Sequence, residues 1–157
     1  ESKNDISSSE YLYSFLKVKN TPAPAFNLDE EFDVQQAVKA LIKAKALQSA
    51  HDVSDGGLFV TLAESTFQNG LGFELFTDKN VRKDAFLFGE SQSRIVVTVK
   101  KENETDLIKV LREFSSVKFN KIGFVKGAEM RVDNEVLFTV AEAKDLYDSS
   151  LEAHLIK

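Results

Sequence analysis

The stretch His51-Asp52-Val53-Ser54-Asp55-Gly56-Gly57-Leu58 constrains this chain more than any other. It sets two carboxylates and a hydroxyl directly before a glycine pair. An amphipathic helical pattern from Leu28 to Leu47 precedes it and another from Leu58 to Phe67 follows. A charged, glycine-containing elbow between a short strand and a helix is where α/β proteins hold phosphates and their metal ions. The reason is physical: amides at a helix start point outward and carry positive partial charge.

Composition narrows what such an elbow can serve. The 157 residues suit one domain, and 43% hydrophobic content with 13 Phe supplies a substantial core. A net charge of -5, from 20 basic and 25 acidic residues, argues against a nucleic-acid surface, which needs clustered Lys and Arg. With no cysteine, disulfides, thiolate metal sites and cysteine nucleophiles are excluded. No apolar run approaches the roughly 20 residues of a spanning helix. The amino-terminal Glu1-Ser2-Lys3-Asn4-Asp5 has no signal-peptide core, so no membrane partner is expected and cytoplasm is the default compartment. The only methionine is Met130, from which we expect the chain to derive from something longer.

Residues 1–27 read as a linker or docking segment, and 28–157 as the domain. Ser7-Ser8-Ser9 and Pro22-Ala23-Pro24 bracket an apolar stretch, Tyr11 to Leu16, without a clean helical stripe. Tyr11, Tyr13 and Phe15 either pack against a neighbouring domain or fold back on this one. Beyond it, Asp29 is the expected cap of a helix in which Val34, Val38, Leu41 and Ile42 share a face. Strands are expected at 49–53 and 72–76, with a brief helix at 85–88. Arg94 to Val99, dense in β-branched residues, predicts a central strand buried on both faces. A third long helix carries Leu107, Leu111 and Phe114, with Asn103 as its cap. Strands at 119–125, 128–132 and 136–140 and a final helix complete a layered α+β domain.

The chemistry clusters twice. At the elbow, Asp52 is the candidate magnesium ligand, because Mg²⁺ prefers a few carboxylate oxygens plus substrate phosphate. Asp55 either serves the same ion or caps the helix that starts at Gly56. A His51-Asp52-Ser54 triad is disfavoured, since close neighbours on a strand alternate faces. His51 reads as a structural histidine and His154 as a surface one. The second cluster is Gly89-Glu90-Ser91-Gln92-Ser93-Arg94. Its carboxylate, amide and hydroxyls can orient a ribose or phosphate, and Arg94 can pair with an anion. A plain polar turn, with Ser91 and Ser93 bonding local backbone, fits the spacing equally well.

Taken together, HDVSDGGL, FGESQSR and the run Ser9-Glu10-Tyr11-Leu12 resemble the carboxy-terminal domain of phosphoribosylformylglycinamidine synthase, a relative of aminoimidazole ribonucleotide synthetase. The resemblance covers nearly the whole chain and departs from the family in the first segment, where glycines usual around SEYL are missing. It implies a three-layer α/β/α domain with a mixed sheet. It further implies an ATP-dependent ligase that joins glutamine-derived ammonia to formylglycinamide ribonucleotide, with ATP or ADP and Mg²⁺ as cofactors. The implied partners are the remaining synthetase domains and a glutaminase domain or subunit. By the same resemblance, Asp52 is a metal ligand and Ser54, Asp55, Gly56 and Gly57 contact nucleotide. Glu90, Ser91, Gln92 and Arg94 contact substrate or phosphate. The alternatives are an assembly module of that enzyme and a domain of another synthetase of the superfamily.

Overall fold

The computed structural model describes residues 3–155, apart from the side chains of Ala153 and His154, so the expectation for His154 lies outside the described residues. The first helix, α1, spans Leu28–Lys43. Its cap is Asn27 and not Asp29. Asn27 takes extended backbone, and its side chain accepts from the amides of Asp29 and Glu30 at 3.0 and 3.1 Å. Asp29 falls instead in the first turn beside Glu30 and Glu31, where carboxylates meet the positive end of the helix dipole. The helix ends before the expected Leu47, and the chain turns through Lys45 in the left-handed region, φ +54°.

Strand β1 (Ser49–Asp52) runs into the elbow and α2 (Gly57–Phe67) leaves it. Then come β2 (Phe73–Leu75), the short α3 (Lys83–Phe88) and β3 (Ile95–Thr98). A 3-10 turn at Lys101–Asn103 leads to α4 (Glu104–Arg112); Asn103 makes no side-chain cap there, contrary to expectation. The chain closes with β4 (Gly123–Val125), β5 (Glu129–Val132), β6 (Glu135–Thr139) and α5 (Val140–Leu155). Asp133 and Asn134, at φ +50° and +71°, make the two-residue turn between β5 and β6, a conformation their side chains tolerate.

The strands form a four-stranded sheet in the order β4-β2-β5-β6, with β2 parallel to β5 and the other pairs antiparallel, and a separate antiparallel pair β1-β3. The architecture is α+β with a mixed sheet. The β-branched run at β3 predicts a central strand, yet among the described residues β3 pairs with β1 alone. Its two faces are half-buried for another reason: Val96 packs on one hydrophobic cluster and Val97 on a second. The first cluster joins Leu58, Phe73, Leu75, Phe86, Met130 and Val132, bringing α2 and α3 onto the sheet. The second joins Ala37 and Leu41 of α1 to Leu107 and Leu111 of α4. The edge β1 presents to the elbow is thus fixed by cores on both sides of its partner strand.

Of the two alternatives for the first segment, folding back is what the structure shows for Tyr11. Its ring stacks on Phe88 with centroids 4.8 Å apart and planes within 5°. Ser9 is fully buried, Lys3 pairs with Glu30 at 3.3 Å, and the Asn4 side chain binds the backbone of Asn80 and Arg82. Tyr13 and Phe15 stand exposed.

Candidate functional site

Three segments remote in sequence meet on one carboxylate oxygen. Glu90 Oε1 accepts the amide of Gly56 in the elbow and the amide of Glu10 in the first segment, each at 2.8 Å. Gly56 occupies the cap position of α2 at φ +83° and has no side chain to cap with; Glu90 accepts the cap residue's own amide, as the third-position Glu of a capping box does. Asp55 therefore does not cap this helix. The next glycine has a steric purpose. Gly57 sits at φ +72°, and a Cβ there would lie 2.7 Å from the backbone of Phe88. At Gly89 a Cβ would collide with the carbonyls of Ala85 and Asp5. The glycines let the start of α2, the end of α3 and the first segment close to backbone contact.

On the exposed rim, Asp52 accepts from the Ser54 hydroxyl at 2.7 Å, and this bond holds the carboxyl below its usual range. Asp52 is therefore an ionised carboxylate at neutral pH. His51 Nδ1 lies 2.9 Å from Ser65 Oγ on α2, so the histidine tethers β1 to the helix and stays clear of the Asp52-Ser54 pair. No triad forms. The amide of Gly57 donates to the Ser54 carbonyl at 3.0 Å, which leaves both glycine amides engaged within the chain.

The second cluster divides. Gln92 is exposed, Ser91 is buried at 2% exposure, and Ser93, at φ +65°, donates to Glu31 of α1 at 2.7 Å. Ser93 thus bonds a distant carboxylate and not local backbone. Arg94 is buried. Its guanidinium donates to the carbonyls of Gly89 at 2.7 Å and Phe86 at 3.1 Å, satisfying the end of α3, and burial pulls its pKa down to about 10. It braces the loop from inside. Sequence reasoning missed Glu10 as part of this site; the only signal was its place in the Ser9-Leu12 run.

The donor set limits the metal chemistry. Among the described residues no group of three or more His, Asp or Glu side chains encloses a metal-sized space. One ionised carboxylate with an adjacent hydroxyl fits a Mg²⁺ ion shared with nucleotide phosphates and water, which is the usual state of this ion, and does not fit a cage built by protein alone.

Comparison with known proteins decides the family. The sequence profile described as "AIR synthase related protein, C-terminal domain" matches residues 6–133. The chain belongs to this family. The match begins within the segment read as a linker. The phosphoribosylformylglycinamidine synthase subunit PurL of Salinibacter ruber is 43% identical over 125 residues, 79% of this chain and 17% of the relative. That of Alkaliphilus metalliredigens is 33% identical over 156 residues, 97% of this chain and 21% of the relative. Thermotoga maritima PurL complexed with FGAR superposes with a TM-score of 0.73 at 16% identity, covering 90% of this chain and 26% of that one, a likeness that establishes the fold. The resemblance carried by the two motifs is borne out. The chain spans about a fifth of the length of the curated relatives it matches.

Proposed function

We propose that this chain is the AIR-synthase-related carboxy-terminal part of an ATP-dependent carbon-nitrogen ligase that makes formylglycinamidine ribonucleotide. Its substrates are formylglycinamide ribonucleotide and ammonia released from glutamine by a glutaminase domain or subunit. The elbow lines an auxiliary nucleotide site, with Asp52 as a magnesium ligand and Ser54 and Asp55 beside the nucleotide. A magnesium ion bound there would supply charge neutralisation to the phosphates. Asp52, held by its bond from Ser54, would hold the ion, while Gln92 on the exposed rim would offer an amide to ribose or phosphate. The observation that carries this reading is the convergence itself: the Gly56-Glu90 bond joins the two chemical motifs and leaves the ionised Asp52-Ser54 pair facing solvent. The PurL names of the curated relatives support the reaction assigned.

One observation favours a second reading, an assembly module without ligand. Both glycine amides that a phosphate would use are already bonded inside the chain, to Glu90 and to the Ser54 carbonyl. In either reading the 157 residues alone do no chemistry. They hold no phosphate-cradling glycine loop with a lysine and no complete acid-base set.

The test is an assay of the full-length protein carrying this chain, supplied with formylglycinamide ribonucleotide, ATP, Mg²⁺ and ammonia. Formation of formylglycinamidine ribonucleotide with ADP and phosphate is expected, and its absence overturns the ligase reading. The 157-residue chain assayed alone is expected to give neither ATP hydrolysis nor product. Turnover above that of an Asp52→Ala control contradicts this.

A further inference from the structure

We propose that Glu90 is a positioning residue that couples the first segment to the glycine elbow. The two bonds it accepts reach 34 residues back to Gly56 and 80 residues back to Glu10, and both land on the same oxygen. Gly56 sits at the cap of α2 in the left-handed region, and its amide, which lies ahead of the helix's own bonds, is taken by an acceptor brought from 34 residues away. Glu10 stands at the entrance of the π-helical turn Tyr11–Phe15; the turn before it closes on the Ser9 amide and the Ile6 carbonyl, and the Glu10 amide goes to Glu90. One charged acceptor satisfies both.

The surroundings make this a joint and not a chance contact. Immediately before Glu90, Gly89 admits the carbonyls of Asp5 and Ala85 against it, and Phe88 stacks on Tyr11 of the first segment. From the inside, Arg94 pins the carbonyls of Gly89 and Phe86, so the backbone carrying Glu90 is held from both sides. Asp52 and Ser54 lie on the same elbow as Gly56. Displacing the first segment therefore shifts the elbow, and with it the rim that the nucleotide reading assigns to Mg²⁺ and phosphate. Glu90 Oε1 is taken by the two amides, so through that oxygen it acts on the elbow by way of Gly56. The coupling role of Glu90 rests on the geometry alone; only its consequence for nucleotide rests on the proposed function.

Amide hydrogen exchange in the full-length protein reads the coupling directly. Glu90→Ala is expected to speed exchange at residues 9–13 and 54–58 together by about 10-fold or more, as expected for the loss of a hydrogen bond to a charged acceptor. Residues 129–139 of the β5-β6 hairpin stay at wild-type rates. Glu90→Gln keeps an oxygen in place and is expected to restore much of the protection in both segments at once. The sharper variant is Glu10→Pro. Its φ of -55° already suits proline, and the change deletes the amide that Glu90 accepts in the first segment. It is expected to speed exchange at 54–58, residues it reaches through Glu90. Should Glu90→Ala fail to fold, Glu10→Pro decides alone.

Unchanged elbow exchange in Glu10→Pro, or a rise confined to one segment in Glu90→Ala, overturns the proposal. ADP with Mg²⁺ gives the separate readout. Wild-type protein is expected to melt higher in its presence, with a smaller rise in Glu10→Pro. A wild-type protein with no rise at all overturns the nucleotide reading and leaves the exchange result to judge Glu90.

Discussion

At Gly57 two penalties meet any side chain: a left-handed backbone and a Cβ only 2.7 Å from the Phe88 backbone, which has no room to retreat. Gly57→Ala is expected to lower stability by about 2 kcal/mol or more, the sum of backbone strain and overpacking. Gly70 has a similar φ of +64° with nothing within 4 Å, so Gly70→Ala isolates the backbone contribution at roughly 1 kcal/mol. Chemical denaturation of the two variants checks this, and equal losses would refute the close-approach argument. Asp133 offers a second residue-scale test. The Thr77 amide and then the Lys83 ammonium depress its carboxyl, with bonds of 2.8 Å to Thr77 and 3.0 Å to Lys83. A group whose folded pKa is lowered adds stability above its unfolded value near 3.9, and that stability is lost as pH falls through the depressed value. Asp133→Asn, which suits the positive φ, is expected to cost about 1 kcal/mol at pH 7. Its deficit against wild type should shrink as pH drops from 5 toward 3; a constant deficit would mean that the charge plays no part. The sequence displayed the glycine pair and the carboxylates of the elbow in plain view. It did not display that the Gly56 amide belongs to Glu90, because no local rule links residues 34 apart.

Among the elements, helix and strand types followed from periodicity, while their ends and neighbours were decided by bonds the pattern does not encode. Both Asn27 and Asp29 are good caps by type; Asn27 wins because only it takes extended backbone with its side chain over the amides of Asp29 and Glu30. Asn27→Ala is expected to destabilise by about 1 kcal/mol and Asp29→Ala by a few tenths, measured as shifts in denaturation midpoint. The reverse order would restore Asp29 as the cap. At β3 the β-branched run correctly marked a strand, but the expected burial of both faces is only partial. Centrality did not follow, since burial comes from two clusters flanking the strand and not from a second hydrogen-bonded neighbour. Arg94 is the matching case at the loop. A lone arginine after Glu-Ser-Gln suggests an anion partner, but the end of α3 exposes carbonyls in a buried place, and a guanidinium fork is the group that satisfies several at once.

The whole molecule is a fold whose two clusters lock a strand edge, with the elbow at its end. Among the described residues no helix is long and apolar enough to cross a membrane. Tyr147, Leu151 and Leu155, spaced one turn apart on α5, remain exposed, and the chain spans about a fifth of the length of its relatives. The central claim is that the rim of the elbow holds nucleotide through Asp52. The most direct test is the rise in melting temperature that ADP with Mg²⁺ brings to the full-length protein, compared with Asp52→Asn. Binding to the native state alone stabilises it by mass action, and losing one ligand of a metal shell commonly lowers affinity about 10-fold to 100-fold. A clear rise is expected for wild type, and a rise for Asp52→Asn that is recovered only at correspondingly higher nucleotide concentration. Identical melting curves for the two proteins at every nucleotide concentration would contradict the claim.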